Sequence, residues 1–350
     1  MNAITELAAS FAPCTVRARV AARVTMVVSL VMVLDLWLAL PGIDLAAYVV
    51  LFTSRRSSAA TARLGIVFAA LAPVAALLSL VIWGASADQP MLRVILFALM
   101  TWAAMYVKEL PGKGAPLYAL GMLTVCFSVV AARASDGDLL TRTILKVAFA
   151  VSIAGCTSAF FAGLLWPNED ASTRVEAKRV PDAAARRSFA LRVTVATMLG
   201  YLAWELTDWY GIHTCMFTAL FIASSDTAEV VLRGRLRMAG AIFGSVAALS
   251  AIVFVVPTLD TVAGLIVLAA PVTFLAAWIA AGPERFGYLG LQIGFAFYLA
   301  LLGRSGPTTD LHEARDRIVG VLLGVVLVVL ALEGFAPRSR GSIGEPPSRN

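Results

Sequence analysis

The chain is written twice. Residues 23–54 align with residues 192–223 without a gap. Arg23-Val24-Thr25 falls on Arg192-Val193-Thr194, Gly42-Ile43 on Gly211-Ile212 and Leu51-Phe52 on Leu220-Phe221, each pair 169 positions apart. Later anchors hold nearly that spacing: Tyr118 matches Tyr288 and Pro167 matches Pro337, both 170 apart. A membrane protein made of two like halves places a pathway or a site where the halves meet, so the duplication points to transport before any catalytic motif is sought.

Composition identifies the solvent of these halves. Hydrophobic residues make up 60% of the sequence and charged residues 14%, with a mean hydropathy of +0.85. Soluble domains carry about 25% charged residues, so this chain belongs in a bilayer. Crossing about 30 Å of hydrocarbon takes about 20 mostly apolar residues per helix. Runs of that kind fall at 20–40, 44–60, 62–84, 91–107, 115–132 and 141–165, then at 188–208, 211–226, 236–257, 260–281, 286–303 and 315–335. The second run of each half is short. The runs are continuous, and Gly and Pro fall mostly between them, as in Leu40-Pro41-Gly42 and Ala281-Gly282-Pro283. Strands of an outer-membrane barrel would alternate with period two, so a barrel is excluded. Helices satisfy their own backbone hydrogen bonds in lipid. The expectation is an all-α polytopic membrane helix bundle of about twelve transmembrane helices in two parallel six-helix repeats. The first repeat would occupy 20–166 and the second 188–336, with an N-terminal segment 1–19, a polar linker 167–187 and a disordered tail 337–350 rich in Pro, Gly, Ser and Arg.

An even number of spans per half puts both termini and the linker on one side, and makes the repeats parallel. That side would hold Arg17, Arg19, Arg55, Arg56, Lys108, Lys113, Arg174, Lys178, Arg179, Arg186, Arg187, Arg338 and Arg340, which makes it the cytoplasm. The exceptions on the opposite side are Arg93, Arg133, Arg142, Arg304, Arg315 and Arg317. The net charge of +6 is scattered over membrane-edge positions without interleaved aromatics, which argues against nucleic acid as a partner. Cys14, Cys126, Cys156 and Cys215 have no paired spacing and read as small apolar residues, with no metal site or disulfide frame. A phosphate-cradling G-x-x-x-x-G-K-S/T loop is absent, as are H-E-x-x-H and a serine elbow, so neither ATP hydrolysis nor another enzyme chemistry is expected, and no cofactor.

Ionisable residues inside the spans are what remains. A charge near the bilayer centre costs about 2.5–3.5 kcal/mol on insertion scales, so such a residue faces a cavity, pairs, or serves a mechanism. Asp35 lies two-thirds along the first run, and Glu205 sits one residue out of register with it in the second half. Carboxyls taken out of water at matched depth suit proton coupling; the alternative is a pair of hydrated helix-end acids. His213 is a candidate proton acceptor near the same depth, among Trp37, Trp204, Trp209 and Tyr210, which otherwise read as an interfacial belt. Lys146, Arg315 and Arg317 open the sixth and twelfth runs against the topology rule. They are candidates to attract an organic anion, unless they snorkel to headgroups. Gln292 is the one mid-span amide, placed to bond substrate or a neighbouring helix.

The stretches Arg235-Leu236-Arg237-Met238-Ala239-Gly240-Ala241-Ile242-Phe243-Gly244, Gly287-Tyr288-Leu289-Gly290-Leu291-Gln292 and Asp316-Arg317-Ile318-Val319-Gly320-Val321-Leu322-Leu323-Gly324 open spans of the second half. Together they resemble the fusaric acid resistance and aromatic acid exporter superfamily, whose members carry an Arg followed by Gly-x-x-x-Gly at such places. The resemblance covers the duplicated six-span plan. It implies a multi-pass protein of the cell inner membrane that exports aromatic carboxylic acids or similar toxic weak acids by proton antiport. In Gram-negative members it also implies work beside a periplasmic adaptor protein. Larger members have a long cytoplasmic domain between the halves, where this chain has about twenty residues. Two other readings belong to the same plan: a passive organic-anion channel, and a non-transporting membrane partner of an adaptor.

Overall fold

The computed structural model describes residues 14–110, 114–132, 134, 136–165, 182–224, 226–303 and 306–334. The expected tail 337–350, linker residues 167–181 and residues 1–13 lie outside them.

Each apolar run forms one α-helix. The first half holds α1 (Thr15–Trp37), α2 (Ile43–Thr53), α3 (Ser58–Ala85), α4 (Pro90–Lys108), α5 (Gly114–Ala131) and α6 (Gly137–Leu165). The second holds α7 (Ala183–Leu206), a 3-10 turn (Tyr210–His213), α8 (Thr214–Ile222), α9 (Thr227–Phe254), α10 (Val262–Ala280), α11 (Glu284–Leu301) and α12 (Leu311–Gly334). A minimal antiparallel pair, β1 (Leu302–Gly303) and β2 (Gly306–Pro307), joins α11 to α12. Several starts are fixed by side chains that accept a backbone N–H of the first turn: Ser57 from Ala60, Asp182 from Ala185, Asp226 from Ala228 and Thr261 from Gly264. These caps correct the expected boundaries. Residues 15–19 belong to α1, residues 183–187 belong to α7 rather than to a linker, and α9 begins nine residues before its expected start at 236.

The twelve runs are not twelve full spans. Among the described residues seven helices are long and apolar enough to cross a membrane, while α2, α5 and the Tyr210–Ile222 segment are shorter. With 11 residues in α2 and 9 in α8, and a rise of about 1.5 Å per residue, each covers only about half of a hydrocarbon core of about 30 Å. Both follow the same break. Ala39 (φ 49°) and Asp208 (φ 48°) are the two non-glycine residues with left-handed backbone among the described residues, and they lie 169 positions apart. At each the long first helix of a half stops, and the chain turns back as a short one.

The packing of the halves repeats in the same way. In the first half α1 packs on α2, α2 on α6, α3 on α5 and α6, and α4 on α5. In the second α7 packs on α8, α8 on α12, α9 on α11 and α12, and α10 on α11. Between halves the contacts are exchanged, with α1 on α10 and α4 on α7. Register agrees as well. Gly42 meets Val147, and Thr53 Oγ1 lies 3.4 Å from Ser158 Oγ, both 105 residues apart. Gly211 meets Asp316 across the same separation. A Cβ at Gly65 would lie 2.5 Å from the Gly155 carbonyl oxygen, so α3 and α6 touch backbone to backbone. Gly234, 169 positions after Gly65, also faces α12, through Val325. Large apolar side chains such as Leu77, Val81, Phe160, Phe243 and Val267 are exposed on the outer surface of the bundle. A surface of that kind suits lipid and would be unusual in water. The chain is a multi-pass membrane helix bundle.

Candidate functional site

The short helices leave room between the halves. A cavity of about 950 Å³ is lined by α2, α3 and α5 from the first half and by the 3-10 turn, α8, α9 and α11 from the second. Its two ends differ. At one end stand Arg55, Lys108, Arg233 and Arg285 with Glu229, and at the other Asp44, His213 and Arg317. Five cationic side chains therefore face two carboxylates among the described lining residues, and low-dielectric walls focus the resulting positive potential on the space inside.

The cations at the Arg55 end are held in place by the backbone and by rings. Arg55 Nη1 donates to the Phe52 carbonyl at 2.6 Å, and its guanidinium carbon lies 5.5 Å from the Phe52 ring centre. Lys108 Nζ donates to the Ala223 carbonyl at 2.6 Å and stands 5.0 Å from the Tyr118 ring. Glu229 accepts from Arg233 at 2.5 Å, one turn along α9, and from the Ser224 hydroxyl. Arg55 and Lys108 thus each donate to a backbone carbonyl and lie against an aromatic ring.

Midway along, the walls turn aromatic. Tyr48 on α2, Phe221 on α8 and Phe295 on α11 form one cluster, with ring centres 4.3 Å apart for Tyr48 and Phe295 and 6.2 Å for each other pair. Against this cluster lies Arg237, 1% exposed and the eleventh residue of α9. Its Nε donates to Thr218 Oγ1 at 2.9 Å and its Nη1 to Gln292 Oε1. Its guanidinium carbon is 5.1 Å from the Phe221 ring centre and 5.6 Å from that of Phe295, within cation–π range. Among the described residues its Nη2 has no hydrogen-bond partner, and the same holds for Gln292 Nε2 and the Tyr288 hydroxyl. Glycine makes this arrangement possible, because a Cβ at Gly240 would lie 2.4 Å from Gln292 Cβ and one at Gly244 2.4 Å from the Ile293 carbonyl oxygen. The backbones of α9 and α11 come close enough for Arg237 to reach Gln292.

At the other end His213 and Arg317 meet. Arg317 Nη1 is 3.0 Å from His213 Nε2, and His213 Nδ1 is 2.6 Å from the Tyr210 carbonyl oxygen. A guanidinium only donates and a carbonyl only accepts, so the ring carries its proton on Nδ1 and offers a bare Nε2 to Arg317. Asp44, at the start of α2, lies in the electrostatic field of Arg317 and of Asp35. Asp35 itself is fully buried on α1, and neither of its carboxyl oxygens has a hydrogen-bond partner. Asp35, Asp44, Arg317 and His213 thus form a row from one half to the other.

The remaining sequence candidates fall elsewhere. Glu205 is exposed and lines a separate recess of about 370 Å³ with Arg93, Asp208, Trp83 and Trp204. The residue 169 positions after Asp35 is the buried Trp204, so the two acids do not occupy like environments. Tyr210 lines both the recess and the main cavity. Lys146 is exposed on α6, and Arg315 is exposed and pairs with Asp316 at 2.8 Å; neither lines the cavity. Gln292 is buried against Arg237 and bonds it directly. The reading from sequence passed over Asp44, Arg233, Tyr288 and above all Arg237, which it took for a basic residue at the mouth of a helix starting at 236. The signal was present in Asp226-Thr227-Ala228-Glu229, a helix-start signature that puts Arg237 ten residues inside.

The fusaric acid resistance protein family matches over residues 162–343, more than half of the chain. Curated relatives include the multidrug resistance protein MdtO of Shigella flexneri, 36% identical over 152 residues, and MdtO of Escherichia coli K12, 37% identical over 152 residues. Each alignment covers 43% of this chain and 22% of the relative, so the chain spans only a part of these longer proteins. No solved structure matches. The chain belongs to the fusaric acid resistance protein family.

Proposed function

We propose that the chain is a membrane efflux transporter of organic anions, with aromatic carboxylic acids as its substrates and protons as the coupling ion. The observation that carries this reading is the cavity between the halves, positively charged at one end, aromatic in the middle and furnished with a carboxylate and a histidine at the other. A cavity of this size and lining suits a small molecule with an apolar ring and a negative group. The name of the curated relatives, multidrug resistance protein, accords with export of toxic compounds. The repeated packing supports a description of the bundle as two parallel six-helix repeats that rock about the shared cavity. The excess of Arg and Lys at the Arg55 end makes that end cytoplasmic under the positive-inside rule, in the inner membrane, with both termini on that side.

The proton-handling group in this reading is the row of Asp35, Asp44 and His213, with Arg317 between the acids and the imidazole. His213 takes a proton on Nε2 only when Arg317 withdraws, so proton entry and the position of a cavity cation are linked. Lys146, Arg315 and Glu205 remain anion-attracting or acid groups of the outer surface, outside the cavity. A periplasmic adaptor is the partner the family resemblance implies.

Inverted vesicles from cells making the protein, given a labelled aromatic carboxylate and an imposed proton gradient, test the reading. Accumulation that requires both the protein and the gradient supports it. Accumulation that requires the protein but ignores the gradient supports a passive channel in its place, and none above control vesicles refutes transport of these acids.

A further inference from the structure

We infer that Arg237, Gln292 and Tyr288 form the anion-binding centre of the cavity. They take the carboxylate of the cargo, while Phe221, Phe295 and Tyr48 hold its apolar body. The inference rests on the transport reading for the direction of movement, but binding stands on its own geometry.

A guanidinium buried this deep in a membrane bundle is costly unless something compensates it. Here the compensation is incomplete. Among the described residues no carboxylate pairs with Arg237, and its two bonded nitrogens use neutral acceptors, Thr218 Oγ1 and Gln292 Oε1. The faces of Phe221 and Phe295 attract the cation without supplying a counter-charge.

Three polar groups are left over at this place, and each has a proton to give. Arg237 Nη2 has no acceptor. Gln292 Nε2 has none either, and its orientation is fixed, because the amide oxygen is already committed to Arg237. The Tyr288 hydroxyl stands beside the Arg237 guanidinium without a well-formed bond to it, so its proton is still free to give; it lies one turn before Gln292 on the same face of α11, and Tyr288 lines the cavity. Natural structures leave few buried polar groups unpaired, and three at one place beside a cavity call for a partner that accepts.

The partner's chemistry follows from the donors. It offers at least two acceptor oxygens and a negative charge, which a carboxylate does. A cation would meet only donors and a positive field. A neutral amide would leave the guanidinium uncompensated. The rings beside the donors favour an aromatic body over a branched aliphatic one, through face and edge contacts. Arg237 Nη2, Gln292 Nε2 and the Tyr288 hydroxyl are all covered, and of the three residues Tyr288 alone lines the cavity while Arg237 and Gln292 lie behind its wall, so the carboxylate reaches them by displacing lining side chains.

The test is binding by purified protein in lipid nanodiscs, measured calorimetrically with naphthoate and with naphthamide, which has the same ring system and no charge. The wild type binds naphthoate at least about tenfold more tightly than naphthamide, since a charged hydrogen bond is at stake. Arg237→Gln removes that preference. Tyr288→Phe deletes one hydroxyl from the rim of the cavity and weakens naphthoate about fivefold, without lowering the unfolding temperature. If Arg237→Gln fails to fold, Tyr288→Phe and Gln292→Leu decide. Equal binding of naphthoate and naphthamide overturns the centre, as does unchanged affinity in these variants or no binding of naphthoate by the wild type. Binding that depends on Arg237 without any flux in proteoliposomes would refute the transport reading and leave the centre standing. Flux that is insensitive to Arg237→Gln would do the reverse.

Discussion

Gly240→Ala adds one methyl group at the point where α9 and α11 touch, and the structure gives its consequence. The new Cβ would lie 2.4 Å from Gln292 Cβ, 3.0 Å from the Gln292 carbonyl carbon and 3.1 Å from the Ile293 nitrogen. Ordinary contact begins at 3.4 Å, so the helices must part by about 1 Å, and most of what is struck is backbone that cannot rotate away. Overpacking of this kind costs about 1–3 kcal/mol. The intrinsic preference of a helix for Ala over Gly returns about 1 kcal/mol. Parting α9 from α11 also stretches the Arg237–Gln292 bond, and a hydrogen bond to a charged group is worth about 1.5–3 kcal/mol. The sum is a loss of about 1.5–5 kcal/mol. Gly84 provides the control, since a Cβ there meets nothing within 4 Å. Thermal unfolding in detergent micelles should show Gly240→Ala well below wild type and Gly84→Ala at or above it. Equal unfolding temperatures for the two variants would refute the claim that the glycine contact sets the position of Arg237.

Asp35→Asn should abolish proton-dependent efflux without lowering the unfolding temperature, because neither carboxyl oxygen makes a bond that the change would break; reduced thermal stability would mean that Asp35 is a structural residue. Glu205→Gln and Lys146→Ala should change flux by less than about twofold, as expected of exposed surface positions away from such features, and a loss near that of Asp35→Asn would move the proton path outward. Cys14 is exposed just before α1, and the Arg17 backbone N–H holds its thiol below the usual range. More of it is therefore thiolate near neutral pH, so a membrane-impermeant maleimide should label Cys14 readily at pH 7 in inverted vesicles and not in intact spheroplasts. The opposite pattern would invert the proposed topology.

The plan of the helices was legible because its signals are local. Continuous apolar runs between Gly and Pro gave twelve helices in order, and the Arg23 to Phe52 block with its copy at Arg192 to Phe221 set the halves in one register; the breaks at Ala39 and Asp208, which only the backbone reveals, fall in that register. The depth of individual residues was less legible. Asp35 and Glu205 lie nearly in register, yet one is buried and the other exposed, because helix rotation about its axis is set by tertiary packing and leaves only a weak trace in such uniformly apolar segments. Arg237 was missed for a related reason. Its run of basic neighbours reads as a membrane edge, whereas the Asp226 cap starts the helix nine residues earlier and carries the guanidinium inside. Gln292 was recognised, but its partner was a residue on another helix, and pairing across helices is not written in the local pattern.

If this cavity exchanges aromatic carboxylates for protons, carboxylate movement and proton movement start together. Proteoliposomes holding the purified protein and a pH-sensitive dye test it most directly, with a panel of aromatic carboxylates added outside at zero membrane potential. Proton movement should start on addition of a carboxylate, require the protein and disappear in Asp35→Asn. Carboxylate movement with no proton movement, or a proton signal equal in protein-free liposomes, would contradict it.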